Sequence, residues 1–160
     1  MKIICIILAR KESKRIINKN LLIFNKYPLI YSTLKQALRI KKVSKIILST
    51  DCDEIIKISK KISKKFIINK RSKKLSGSKT RSETVIKYLG KIYKFDAKDY
   101  ILILQPTSPL RKDKDITKAI NIATEHNLKT IHSGNIYHKK IKIKQKIYLY
   151  NNRIKKIIYS

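Results

Sequence analysis

Short Ile-rich runs alternate with stretches whose apolar residues recur three to four positions apart, and this alternation restricts the fold more than any other feature of the chain. The first run, Lys2–Leu8, has the apolar character of a strand buried on both faces of a parallel sheet. From Pro28, residues Leu29, Ile30, Leu34, Ala37, Leu38 and Val43 fall near helical spacing, which predicts an amphipathic helix with proline in its first turn. Residues 44–50 return to a strand. Asp51 or Asp53 is placed to cap the next helix, whose apolar positions are Ile55, Ile56, Ile58 and Ile62. Residues 66–68 read as a third strand, 69–80 as a long polar loop, 82–94 as a helix and 100–104 as another buried strand. Gln105–Arg111 holds two prolines and continues neither kind of element. Asp113 or Asp115 then opens a helix carrying Ile116, Ala119, Ile120 and Ala123, residues 129–132 read as a strand, and 140–159 as a hairpin turning at Asn151-Asn152.

Strands alternating with helices predict an α/β fold with a mainly parallel sheet, in which ligands bind outside the carboxyl ends of the strands. Three loops meet that rule: Ala9–Asn20, Thr50–Asp53 and Gln105–Arg111. A length of 160 residues suits a single domain spanning 1–160. No apolar run approaches the roughly 18–20 residues of a membrane span, and Ile3–Leu8 is too short for a signal-peptide core, so the sequence predicts a soluble cytoplasmic protein with no membrane partner. Two cysteines make no disulfide framework and have no zinc-ligand spacing. Cys5 reads as a small core residue, and Cys52, near a strand end, reads as exposed and without a catalytic role.

The chain has 40 Lys and Arg against 10 Asp and Glu, a net charge of +30. Such a balance admits a basic nucleic-acid-binding module, because neutralised phosphates release counterions. Lys and Ile, however, recur together in every kind of element, the pattern that AT-rich codon usage produces by drift. The basic residues form no single block and there is no Trp for a stacking platform, so no specific nucleic-acid partner is expected.

The first loop packs Arg10, Lys11, Lys14, Arg15 and Lys19 behind a buried strand, a set of cations able to hold a triphosphate. It is neither a Walker loop nor a dinucleotide fingerprint, since the glycines are Gly77, Gly90 and Gly134. This loop, ARKESKRIINKN, together with STD at 49–51 and LQPTSPLR at 104–111, resembles the acylneuraminate cytidylyltransferase family, which includes the CMP-sialic acid, legionaminate and pseudaminate enzymes. The motifs stand in the family's order and the resemblance covers residues 2 to about 142. It implies a Rossmann-like, glycosyltransferase-A-like nucleotidyltransferase fold of three layers. It also implies transfer of CMP from CTP to a 2-keto sugar acid such as N-acetylneuraminate, with Mg²⁺ bridging phosphate oxygens and pyrophosphate released. Such chemistry needs positioning and charge neutralisation more than covalent catalysis.

By the same resemblance, Arg10, Lys14 and Lys19 are the catalytic candidates, with Arg10 on the phosphates and Lys19 stabilising the transition state. Ala9, Arg10, Ser13, Lys14, Asn20, Arg71 and Ser82 are expected at the nucleotide, and Gln105, Thr107 and Ser108 at the junction with the sugar acid. On the residues alone, Gln105 can instead end a strand and Arg111 can pair with Asp113 on the surface. Three departures stand out: Lys11-Glu12 for the usual Gly-Gly, Ile17 for a proline, and Ser78-Lys79 for Asp-Thr. The resemblance also implies a further C-terminal segment that completes the sugar pocket, supplies homodimer contacts and carries paired metal-binding aspartates. That segment is not found in 1–160, and Asp51, Asp53, Asp113 and Asp115 lack the spacing to replace it, so the metal ligands are unassigned. Descent from the family is thereby kept apart from turnover, and a truncated, inactive nucleotide-binding relative stands as the alternative.

Overall fold

Period-two alternation explains why the strands read as unbroken apolar runs. In the computed structural model, which describes residues 1–13, 16–131, 135–137, 140–142 and 147–151, strand β1 spans Ile3–Leu8. Ile3, Cys5 and Ile7 join one buried cluster, while Ile4 and Ile6 join another on the opposite face. The chain continues through a hairpin of β2 (Ile23–Phe24) and β3 (Tyr27–Pro28), helix α1 (Leu29–Arg39), β4 (Lys45–Thr50), α2 (Asp53–Ile62) and β5 (Phe66–Lys70). It proceeds to α3 (Lys73–Ser76), α4 (Ser82–Ile92), β6 (Tyr100–Leu104), α5 (Asp113–Glu125), β7 (Thr130–Ile131), β8 (Asn135–Tyr137), β9 (Lys140–Lys142) and β10 (Ile147–Asn151).

The main sheet has the order β5-β4-β1-β6-β10-β7. β5, β4, β1 and β6 run parallel, and β10 pairs antiparallel with both β6 and β7. One face is covered by Ile30, Leu34 and Ala37 of α1, Ile55 of α2, and Ile116, Ala119, Ile120 and Ala123 of α5. The other carries Val85 and Leu89 of α4 against Ile4, Ile6, Ile47, Ile101 and Ile103. The result is the three-layer α/β arrangement expected of a mainly parallel sheet. Among the described residues no helix is long and apolar enough to cross a membrane.

Several local expectations are corrected. Pro28 ends β3 and precedes the first turn of α1, because Asn25 and Lys26 both adopt positive φ (48° and 70°) and close a two-residue hairpin ahead of the helix. Neither Asp51 nor Asp53 caps α2: the preceding residue is Cys52, whose N–H donates to Thr50 Oγ1 at 3.1 Å. Cys52 is buried, not exposed. A short helix, α3, interrupts the expected loop 69–80, and β5 extends to Lys70. The second arm of the hairpin expected at Asn151-Asn152 lies outside the described residues; β10, which ends at Asn151, pairs within the main sheet.

Asp113 follows Lys112 into the first turn of α5, and its carboxylate accepts from Arg39 Nε at 2.5 Å, Arg39 NH2 at 3.1 Å and Gln36 Nε2 at 2.9 Å. The Arg39 hydrogen bond, aided by Gln36, holds this carboxyl below the usual range. Its contribution to stability is therefore complete above the unfolded value of about 3.9 and is lost as the pH falls through the folded value. Both partners are partly exposed, so the pair is worth about 1 kcal/mol at most. Urea unfolding is expected to show Asp113→Asn weakening the protein at pH 7, with the difference from wild type shrinking as the pH falls below the usual carboxylate range; a difference that does not change with pH would refute this.

Candidate functional site

β1 and β6 are neighbours in the sheet, with β4 and β5 built outward on one side of β1 and β6 on the other. The strand order reverses between them, and their carboxyl ends open into a cleft of about 310 Å³. Leu8 and Ile103 from the strand ends, with Val85 and Ile86 of α4, give it an apolar floor. Arg10, Lys19 and Arg71 supply cations, and Ser13, Ser78, Thr80, Ser82 and Thr107 supply hydroxyls. Asn20, Gln105 and Pro106 complete the wall. No Asp or Glu is among these lining residues.

Local chain geometry brings the cations together. Asn20 is buried and donates from Nδ2 to the Arg10 carbonyl at 3.0 Å, folding the first loop back on itself. Asn18 precedes the turn Lys19–Leu21 at φ 49°, a left-handed conformation that asparagine tolerates, and Lys19 enters the cleft wall from there. The N–H of Lys11 donates to Asp51 Oδ1 at 2.7 Å, fastening the loop to the end of β4. Arg10 NH1 lies 3.5 Å from the Gly77 carbonyl across the cleft mouth.

Arg71 is half-buried just after β5, with Nε donating to Ser49 Oγ at 2.9 Å and NH2 to Ser49 O at 3.0 Å. Burial pulls its guanidinium down to about 10, with Arg10 pushing the same way and the Asp51 carboxylate opposing. It stays cationic at neutral pH. Three cations, five hydroxyls and an apolar floor suit an anionic ligand that also carries a flat apolar group.

Of the residues singled out by sequence, the cleft gathers Arg10, Ser13, Lys19, Asn20, Arg71, Ser82, Gln105 and Thr107. Ala9 is fully buried, its N–H donating to Ser49 O at 3.0 Å, and does not line the wall. Ser108 is not among the lining residues; its N–H donates to the Gln105 carbonyl at 3.2 Å. Lys14 lies outside the described residues. The floor residues Leu8, Val85, Ile86 and Ile103 were not foreseen as ligand-facing, because their periodicity is that of a core. The expected surface pair of Arg111 with Asp113 does not form. Arg111 is 4% exposed and donates from NH1 to Gln36 Oε1 at 2.9 Å and from NH2 to the Gln105 carbonyl at 2.6 Å. The guanidinium thus staples the two ends of Gln105–Arg111.

The cytidylyltransferase family model matches residues 4–157. The chain belongs to the cytidylyltransferase family. It is 36% identical over 121 residues to the N-acylneuraminate cytidylyltransferase of Escherichia coli O18:K1:H7, covering 76% of this chain and 28% of that protein. It is 32% identical over 123 residues to the CMP-N,N'-diacetyllegionaminic acid synthase of Legionella pneumophila, covering 76% and 53%. With the pseudaminic acid cytidylyltransferase of Campylobacter jejuni it shares 36% identity over 122 residues, covering 74% and 51%. The chain thus spans between about a quarter and a half of these relatives. In fold it is similar to a CMP:2-keto-3-deoxy-manno-octonic acid synthetase complexed with CTP, with a TM-score of 0.69 at 17% identity over 95% of this chain and 75% of that one. A 4-diphosphocytidyl-2C-methyl-D-erythritol synthase gives 0.65 at 14% identity, over 94% and 75%. The expected nucleotidyltransferase fold is therefore the one observed.

In this member of the family the Lys11-Glu12 pair is exposed and stays off the main cleft wall. It lines an adjoining hollow of about 450 Å³ together with Ile17, Asn18 and Ser76. Magnesium does not fit the described residues: no group of three or more His, Cys, Asp or Glu side chains among them can hold a metal ion, and Asp51 Oδ1 is engaged by Lys11.

Proposed function

We propose that this cytidylyltransferase chain binds CTP in the β1/β6 cleft and transfers CMP to a 2-keto sugar acid of the nonulosonic kind, releasing pyrophosphate in the cytoplasm. The observation that carries this reading is a wall with three cations and no carboxylate above an apolar floor, at the switch point of a cytidylyltransferase sheet. The sugar-acid substrate comes from the curated relatives, whose names specify N-acylneuraminic, legionaminic and pseudaminic acids.

In this reading Arg10 and Lys19 face the phosphates, with Lys14 assigned beside them by motif. Arg71, Ser13, Asn20 and Ser82 hold the nucleoside end, Ala9 contributing through the backbone that places Arg10. Gln105 and Thr107, with Ser108 bonded through its N–H to the Gln105 carbonyl, form the junction with the sugar acid. The anomeric oxygen of the sugar acid attacks the α-phosphorus, a new P–O bond forms, and the bond from the α-phosphorus to the bridging oxygen breaks. Pyrophosphate leaves with that electron pair while the proton of the anomeric hydroxyl passes to solvent. The cations need only neutralise charge that grows on the departing oxygens. No step is drawn through magnesium, for which the described residues supply no ligand set.

Incubation of the chain with CTP, Mg²⁺ as counterion and a panel of nonulosonic acids tests the reading. Pyrophosphate release that depends on one of the acids is expected. CTP binding without release for any acid would leave only the nucleotide half of the reading, and the absence of both would end it.

A further inference from the structure

β4 and β5 pair in parallel register so that Ser49 stands opposite Asn69, one residue pair below the carboxyl edge of the sheet. Ser49 is fully buried and Asn69 nearly so, although neither side chain is apolar. The Ser49 hydroxyl donates to Asn69 Oδ1 at 3.0 Å, which directs its lone pairs away from Asn69 and towards Arg71 Nε at 2.9 Å. The Ser49 carbonyl accepts twice, from Arg71 NH2 at 3.0 Å and from the Ala9 N–H at 3.0 Å. The Arg71 N–H donates to Thr50 O at 2.9 Å, so this residue is held at its backbone and at its guanidinium.

From this geometry we infer that Ser49, oriented by Asn69, is a positioning residue for the nucleotide site: it fixes the plane of the Arg71 guanidinium and ties that plane to the loop carrying Arg10. The inference rests on the cytidylyltransferase reading and deepens it. A guanidinium has five N–H donors in a rigid fork. Ser49 takes the Nε–H and one N–H of NH2, and three remain for a ligand in the cleft that Arg71 lines. Without the serine hydroxyl the fork is held by the Ser49 carbonyl alone, one point that does not fix its plane, and its contacts with an anion are less well pre-arranged. Because the Ser49 carbonyl holds both Ala9 and Arg71, the same residue sets the spacing between the first-loop cation and the β5 cation. Among the described residues no other peptide oxygen at this sheet edge receives donors from both segments.

The test is a double-mutant cycle read by calorimetric titration of CTP, with the exchange rate of the Arg71 Nε–H measured by NMR in parallel. Ser49→Ala is expected to weaken CTP binding by about tenfold, the scale of one lost hydrogen bond to a charged group. In an Arg71→Ala background the same change is expected to weaken it less than about twofold, since there is no guanidinium left to orient. Equal losses in both backgrounds would show a general structural effect and overturn the inference, as would no loss in either. Nε–H exchange is expected to accelerate in Ser49→Ala at unchanged fold, judged by the thermal midpoint. If the wild-type chain leaves CTP unbound, the cytidylyltransferase reading fails separately. The exchange rate then decides for Ser49 alone: acceleration supports its hold on Arg71, and no acceleration overturns it.

Discussion

Lys19→Ala is expected to lower the rate of sugar-acid-dependent pyrophosphate release by about 10²–10³-fold, the usual cost of removing one preorganised group that meets charge developing in a transition state. Lys19 projects into the cleft wall from the turn Lys19–Leu21, and none of the hydrogen bonds or ion pairs among the described residues involves its ammonium group. Its loss therefore costs the fold little, and the thermal midpoint is expected to stay within about 2 °C of wild type. Specificity separates this from a bulk charge effect. Lys19 is one of 40 cationic residues, so non-specific binding to DNA should be nearly unchanged by its removal. Parallel loss of DNA and nucleotide binding would mean that the cleft acts only through net charge.

Arg111→Met carries the largest expected effect on stability. The guanidinium is buried without a carboxylate partner among the described residues, and burial pulls it down to about 10. Holding that charge costs free energy, which a methionine avoids. Yet methionine leaves Gln36 Oε1 without its donor, at about 1–3 kcal/mol for a buried unpaired acceptor, and takes from the Gln105 carbonyl the shorter of its two hydrogen bonds, the Ser108 N–H remaining. The second effect outweighs the first, for a net loss of about 2 kcal/mol and a fall of about 5 °C in thermal midpoint. Sugar-acid KM is expected to rise as well, because the staple holds Gln105 and Thr107 in the wall. Differential scanning calorimetry with steady-state kinetics checks both, and a midpoint at or above that of wild type would show that desolvation dominates at this position.

The parts of the molecule that were legible in the sequence are those whose signal is local. β1, β6 and the Ile46–Leu48 part of β4 announce themselves because both faces are buried, which removes polar residues from these runs. Arg10, Lys19 and Gln105 stand out because their loops follow β1 and β6, whereas Arg71, which follows β5, was singled out by the family resemblance. What stayed hidden depends on pairing across long separations or on unusual backbone. Asn25-Lys26 closes a hairpin at positive φ without a glycine to mark it. Val85 and Ile86 lie on one helix with ordinary core spacing, and only the placement of α4 against the switch point turns them towards a ligand. Ser49 and Asn69 meet through strand register, which neither segment specifies alone. Arg111 was readable as a cation but not as a buried one, because its partners come from α1, far along the chain.

The central claim, a nucleotide site selective for cytidine, is tested most directly by calorimetric titration of the 160-residue chain with CTP and Mg²⁺ in moderate salt, with ATP and UTP as controls. Saturable binding of CTP, at least tenfold tighter than that of ATP or UTP and persisting as salt is raised, is the predicted result, where tenfold is about 1.4 kcal/mol. Equal affinity for all three nucleotides, lost on adding salt, would contradict it and reduce the cleft to a basic surface.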